Sequence, residues 1–121
     1  MIGTIQNLAV RIARFVDDNF PGWVECEFVD AEGHQHTIID KVPTFTTAPL
    51  DSNSKYPQGG HIYCTVLTRW TDDYGKDLVR VTTAHPFPVE STAGLTEFVV
   101  PAGELTDLTN EEIKWVAGTQ R

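Results

Sequence analysis

Apolar and polar positions alternate along most of the chain. Leu8, Val10 and Ile12 fall on one side with Arg11 on the other. Val24, Cys26 and Phe28 alternate with Glu25 and Glu27, and Ile62, Cys64 and Val66 with Tyr63 and Thr65. Val79 and Val81 flank Arg80, and Phe98 and Val100 follow Glu97. A period of two over several residues is the pattern of a strand with one wet face. The residues involved are mostly β-branched or aromatic, which suits a pleated, half-buried surface. His34-Gln35-His36 reads as a further stretch of strand. Asp30-Ala31-Glu32-Gly33 and Asp72-Asp73-Tyr74-Gly75 carry Asp first and Gly fourth, the chemistry of a tight hairpin turn. Pro21-Gly22 breaks the chain before the second strand, and prolines bound a polar loop over 44–60. At an offset of 42, Phe28, Asp30, Gly33 and Phe45 fall on Trp70, Asp72, Gly75 and Phe87. Either a duplicated hairpin or shared turn chemistry accounts for that match.

Near the end the period changes. Thr109 or Asn110 can cap a helix, Glu111 and Glu112 suit its first turn, and Ile113, Val116 and Ala117 form a short apolar stripe. A helix this short needs a surface to dock on. The expected fold is therefore all-β and mainly antiparallel: a small barrel or sandwich of five to seven strands built from hairpins, with a short C-terminal helix. At 121 residues the chain is read as a single domain, 1–121.

Charge narrows the partners. Seventeen acids against nine bases give a net charge of -8. That disfavours nucleic acid and anionic membranes, both of which need a basic surface. Arg11 and Arg14 interrupt the only apolar stretch near the start, so no secretory signal is read and the expected compartment is the cytoplasm. Cys26 and Cys64 both fall on the inward face and read as buried free thiols; Glu25 and Glu27 would raise the pKa of Cys26.

The acids are clustered. Trp23, Glu25 and Glu27 share one strand face, Asp30 and Glu32 continue into the turn, and Asp72, Asp73 and Asp77 crowd the other tip. If the hairpins lie side by side, they form one acidic region able to steer a cationic partner. The same charge also serves solubility. The preferred expectation is a non-enzymatic acidic interaction domain, of the inhibitor or immunity type, that binds a basic protein through Trp23, Glu25, Glu27, Asp30, Glu32, Asp72 and Asp73. No cofactor is expected.

Two alternatives use other residues. His34 and His36 project to one strand face, with Asp40 and His61 further on, which resembles the ligand set of the cupins. That resemblance implies a bound metal, with Asp40 where the family's acidic ligand is glutamate. The other alternative is a homodimer formed through the His61, Tyr63 and Leu67 face, should nothing cover it. Ser91, His85 and Asp77 have the residue types of a hydrolytic triad, without a nucleophile elbow. Finally, Gly22-Trp23-Val24-Glu25-Cys26, Lys41-Val42-Pro43, Tyr56-Pro57-Gln58, Arg69-Trp70 and Val89-Glu90-Ser91-Thr92 resemble a group of small bacterial proteins of unknown function. The resemblance spans Gly22 to Val100. It implies a bacterial, cytoplasmic setting and no particular chemistry.

Overall fold

The computed structural model of the chain describes residues 4–119. It is mostly antiparallel sheet, with seven strands curled into a half-barrel and one short C-terminal helix. The strands are β1 (Ile5–Asp17), β2 (Trp23–Val29), β3 (Gln35–Lys41), β4 (Gln58–Thr71), β5 (Asp77–Thr82), β6 (Glu97–Pro101) and β7 (Leu105–Asp107). Helix α1 spans Asn110–Thr119. The order across the sheet is β3-β2-β1-β4-β5-β6, and β7 returns to pair with β1.

β1 organises the sheet. One edge pairs with β4 over Ile5–Ile12. The other edge pairs first with β7 at Gln6–Leu8 and then with β2 from Arg11 onward. Leu8, Val10 and Ile12 point into the core, where they meet Val24, Cys26, Ile62, Cys64, Val79, Val81 and Val100. The alternation read from the sequence is therefore the alternation of the barrel wall. Beyond Ile12 the β1–β2 register shifts, and β4 shifts against β5 between Val66 and Thr68. Such bulges bend a strand and help a small sheet curl. The skipped residue Leu67 is left exposed on the outside.

The gap between the outer strands β3 and β6 is bridged from both sides. Ala31 N–H donates to the Val99 carbonyl at 2.8 Å, and Thr92 N–H donates to the Thr37 carbonyl at 2.8 Å. The 44–60 segment is not a free loop. A 3-10 turn at Val42–Thr44 leads into Phe45, which is fully buried.

Both acidic turns have one construction. Asp30 Oδ1 accepts the N–H groups of Glu32 and His34, and Asp72 Oδ1 accepts those of Tyr74 and Lys76. Gly33 and Gly75 close the turns at φ 86° and 81°. The strand registers match as well: Val29 faces Gln35, and Thr71 faces Asp77. Ser91 repeats the device in a third turn, accepting Leu95 N–H on its hydroxyl, with Gly94 at φ 81°.

α1 lies on the outer face of β1 and β4. Thr109 and Glu112 form a reciprocal cap: Glu112 N–H donates to Thr109 Oγ1 at 3.1 Å, and Thr109 N–H donates to Glu112 Oε1 at 2.9 Å. Val116 is buried, and Trp115 packs on Tyr63 and Phe87 with ring centroids 5.8 and 5.2 Å away. Among the described residues no helix is long and apolar enough to cross a membrane.

Candidate functional site

The sequence singled out seven partner-facing residues, and the structure divides them. Trp23, Glu25 and Glu27 share the outer face of β2. Antiparallel register sets Glu27 opposite Arg11 and Glu25 beside Arg14. Arg11 Nη1 pairs with Glu27, and Arg14 holds Glu25 through two hydrogen bonds of 3.1 and 3.2 Å. Trp23 is half-buried, with Lys41 Nζ 5.8 Å above its ring. The negative charge of this face is thus largely matched within the sheet.

The other four residues lie at the hairpin tips. β2 and β4 both run antiparallel to β1, so the turns that follow them come to the same end of the barrel. Ala31 of one tip and Lys76 and Asp77 of the other line a single depression, floored by Pro101, Ala102 and Gly103. Asp77 is the acid that lines it; Asp30 and Glu32 adjoin Ala31 in one turn, and Asp72 and Asp73 belong to the turn that ends at Lys76. Asp30 and Asp72 are tied into their turns, while Glu32 and Asp73 are exposed. Tyr74 stands beside Asp73 at the tip, 89% exposed. It carries an apolar ring and a hydroxyl into solvent among carboxylates, the residue type that commonly anchors an interface. Nothing in the pattern of residues marks Tyr74, because a turn position shows nothing about what covers it.

His34 and His36 meet at Asp30, and His61 and Asp40 lie elsewhere. His36 lies between Phe28 and Phe98, with ring centroids 5.3 and 4.7 Å away, and its Nε2 is 2.8 Å from Asp30 Oδ2. His34 is 3.6 Å from the same oxygen. Partial burial alone would push the Asp30 carboxyl upward. The hydrogen bonds from His36 and from the His34 and Glu32 backbones, with the His34 charge, outweigh it and hold the pKa below the usual value. Asp40 accepts its neighbour Lys41 N–H at the other end of β3. His61 lies on the outer face of β4, 3.6 Å from Glu112. Among the described residues no three His, Cys, Asp or Glu side chains gather as a metal site. The cupin-like ligand set of His34, His36, Asp40 and His61 is therefore not assembled by this fold. The hydrolytic trio is dispersed too: Ser91 serves its turn, His85 meets Thr65, and Asp77 meets Thr71.

α1 packs on the face of β4 bearing His61 and Tyr63 and leaves both half-buried, while Leu67, the third residue of the expected dimer face, is exposed. The polar centre of the contact is Glu112, which accepts Asn7 Nδ2 at 3.2 Å on both oxygens. Burial pushes Glu112 upward, but hydrogen bonds from Thr109, Asn7 and Tyr63 outweigh it and hold its pKa below the ordinary value. Burial, with the adjacent Glu112 charge, pushes the Tyr63 phenol up to about 12. Asn7 is 7% exposed, and its Oδ1 has no hydrogen-bond partner among the described residues. Cys26 and Cys64 are free and buried. Burial pushes both thiols up to about 12, aided at Cys26 by the charges of Asp40, Glu25 and Glu27.

No protein-family model matches the chain, and neither a curated protein nor a solved structure matches it significantly.

Proposed function

We propose that the chain is a non-catalytic acidic binding domain that holds a basic protein partner at the end of the barrel where the two hairpin tips meet. It would act in the manner of a small inhibitor or immunity protein. The observation that carries this reading is Tyr74, bare to solvent beside Asp73 at an end shared by two acid-bearing turns. Charge there speeds encounter with a cationic surface, and a central aromatic side chain supplies affinity once the surfaces touch. The turn backbones are fixed by their Asp caps, so little order has to be gained on binding. Glu25 and Glu27 support the sheet through their arginines and contribute less to the partner surface than Glu32 and Asp73. A cytoplasmic setting fits two buried thiols that remain reduced.

The test is affinity capture from bacterial extract on the immobilised chain, run beside a Tyr74→Ala variant and a Glu32→Lys/Asp73→Lys variant. The reading requires a basic protein that is retained by the wild type, released by moderate salt and lost from both variants. Retention indifferent to all three changes would refute it.

A further inference from the structure

The end of the β2–β3 hairpin away from its tip carries a second surface that the acidic tips do not use. α1 and the 43–49 segment wall a groove in two parts, with volumes of about 340 and 640 Å³, that share Pro43, Tyr63 and Trp115. Trp115 is 55% exposed, and Phe20 at the outer lip is 97% exposed. Tyr63, Phe87 and Trp115 form a triangle with centroids 5.2 to 6.0 Å apart, and all three line the groove.

Two observations decide what fits. The first is backbone chemistry. Pro21, Pro43, Pro49 and Pro88 line the groove and offer no N–H, while Tyr63 already belongs to the β4–β1 ladder. An added β-strand would find no row of donors in the larger part, where the Thr46 and Ala48 N–H groups already donate to the Val42 carbonyl and the Thr46 hydroxyl. A polyproline-type segment needs none, because its backbone stays hydrated and its rings dock on aromatic faces. The second is charge. Asp40 stands at the smaller part, and Glu111 and Glu112 stand at the larger. The one lining cation among the described residues is Lys41, and it turns toward Trp23.

We propose that this groove binds an extended, proline-rich segment of a partner protein, with arginine or lysine flanking the prolines. The rings seat beside Trp115 and Tyr63, and the flanking cations meet Glu111 and Asp40.

The probe is a synthetic ten-residue peptide with two prolines three residues apart and arginine at each end. Binding is followed by NMR through the Trp115 indole N–H and the amides of Thr46 to Ala48. Saturable shifts confined to those signals are expected. Trp115→Ala should weaken binding at least about tenfold, the scale of a lost aromatic anchor. Glu111→Gln should weaken it a few-fold and remove most of its salt dependence. Because Trp115→Ala can undock α1, Glu111→Gln is the deciding variant: an affinity unchanged while α1 signals stay in place would overturn the charge argument. Three further results would overturn the proposal: no saturable shift at millimolar peptide, tighter binding of a helical peptide of equal charge, or shifts on simple concentration, which would assign the groove to a second copy. Tyr74→Ala should bind the peptide as the wild type does, so the fate of the tip surface is read separately.

Discussion

Gly60 offers a sharp test of how closely the wall of the barrel is packed, because the sign of one substitution decides it. Gly60 lies in β4 opposite Val10. A Cβ there would sit 2.8 Å from Ile12 Cδ1, 2.9 Å from Ile12 Cγ1 and 3.0 Å from the Phe45 carbonyl oxygen. Ordinary carbon contacts are about 3.5–4.0 Å. Ile12 is fully buried and cannot swing outward. The Phe45 carbonyl is held by His61 N–H at 2.9 Å. Where space allows, replacing a glycine by alanine stabilises a protein by about 0.4–1 kcal/mol through the unfolded chain. Here overpacking, typically about 1–3 kcal/mol, should win. Gly60→Ala is therefore expected to destabilise the fold by about 1–2 kcal/mol, lowering the melting temperature by roughly 3–10 °C for a domain of this size. Urea unfolding measures the cost. Ile12→Val removes the nearest methyl and alone should cost about 0.5–1.5 kcal/mol. In the Gly60→Ala background it should cost at least about 0.5 kcal/mol less, since the two sites touch. A Gly60→Ala variant as stable as the wild type, with additive effects in the double variant, would refute the packing argument.

Other outcomes follow from the turns, the cap and the thiols. Asp72→Ala should cost about 1 kcal/mol in urea unfolding, and Asp30→Ala more, because Asp30 also holds His36; equal costs would remove the His36 contact from the account. Glu112 has a lowered pKa in the folded state, so its contribution is complete above its ordinary value of 4.5 and is lost as the pH falls below it. In a His61→Gln background, Glu112→Gln should therefore flatten the acid limb of stability against pH; an unchanged limb would contradict the Glu112–Asn7 contact. With both thiols pushed up to about 12, neither Cys26 nor Cys64 should react with a thiol reagent at pH 8 until denaturant is added. Labelling of the native chain at the rate of the unfolded one would rule out their burial.

The parts of the fold that were legible are those whose cause is local. Alternation places β2 and the inward residues of β1 and β4, the two Asp-to-Gly turns place the hairpin tips, and a cap at Thr109 or Asn110 followed by Glu111 and Glu112 marks the start of α1. The reciprocal Thr109–Glu112 bonding shows only in the fold. β7 is not legible because Leu105-Thr106-Asp107 is too short to show a period. Ser91 to Gly94 does not read as one of these turns because serine, not aspartate, holds it. The pairing of Glu25 and Glu27 with Arg14 and Arg11 was hidden for a different reason. It depends on which strands are neighbours and in what register, and no single segment contains that information. Tyr74 and the groove beside Trp115 are likewise products of assembly.

The double edge of β1 bears on how the chain comes together during synthesis. Gln6 to Leu8 wait for partners about a hundred positions later, in β7, and Asn7 waits for Glu112. Such high contact order slows folding. While the chain is still emerging from the ribosome, the first part of β1 has one ladder open to any passing strand, a known route to aggregation. Chaperone occupancy on nascent chains should accordingly persist until Leu105 to Glu112 have emerged.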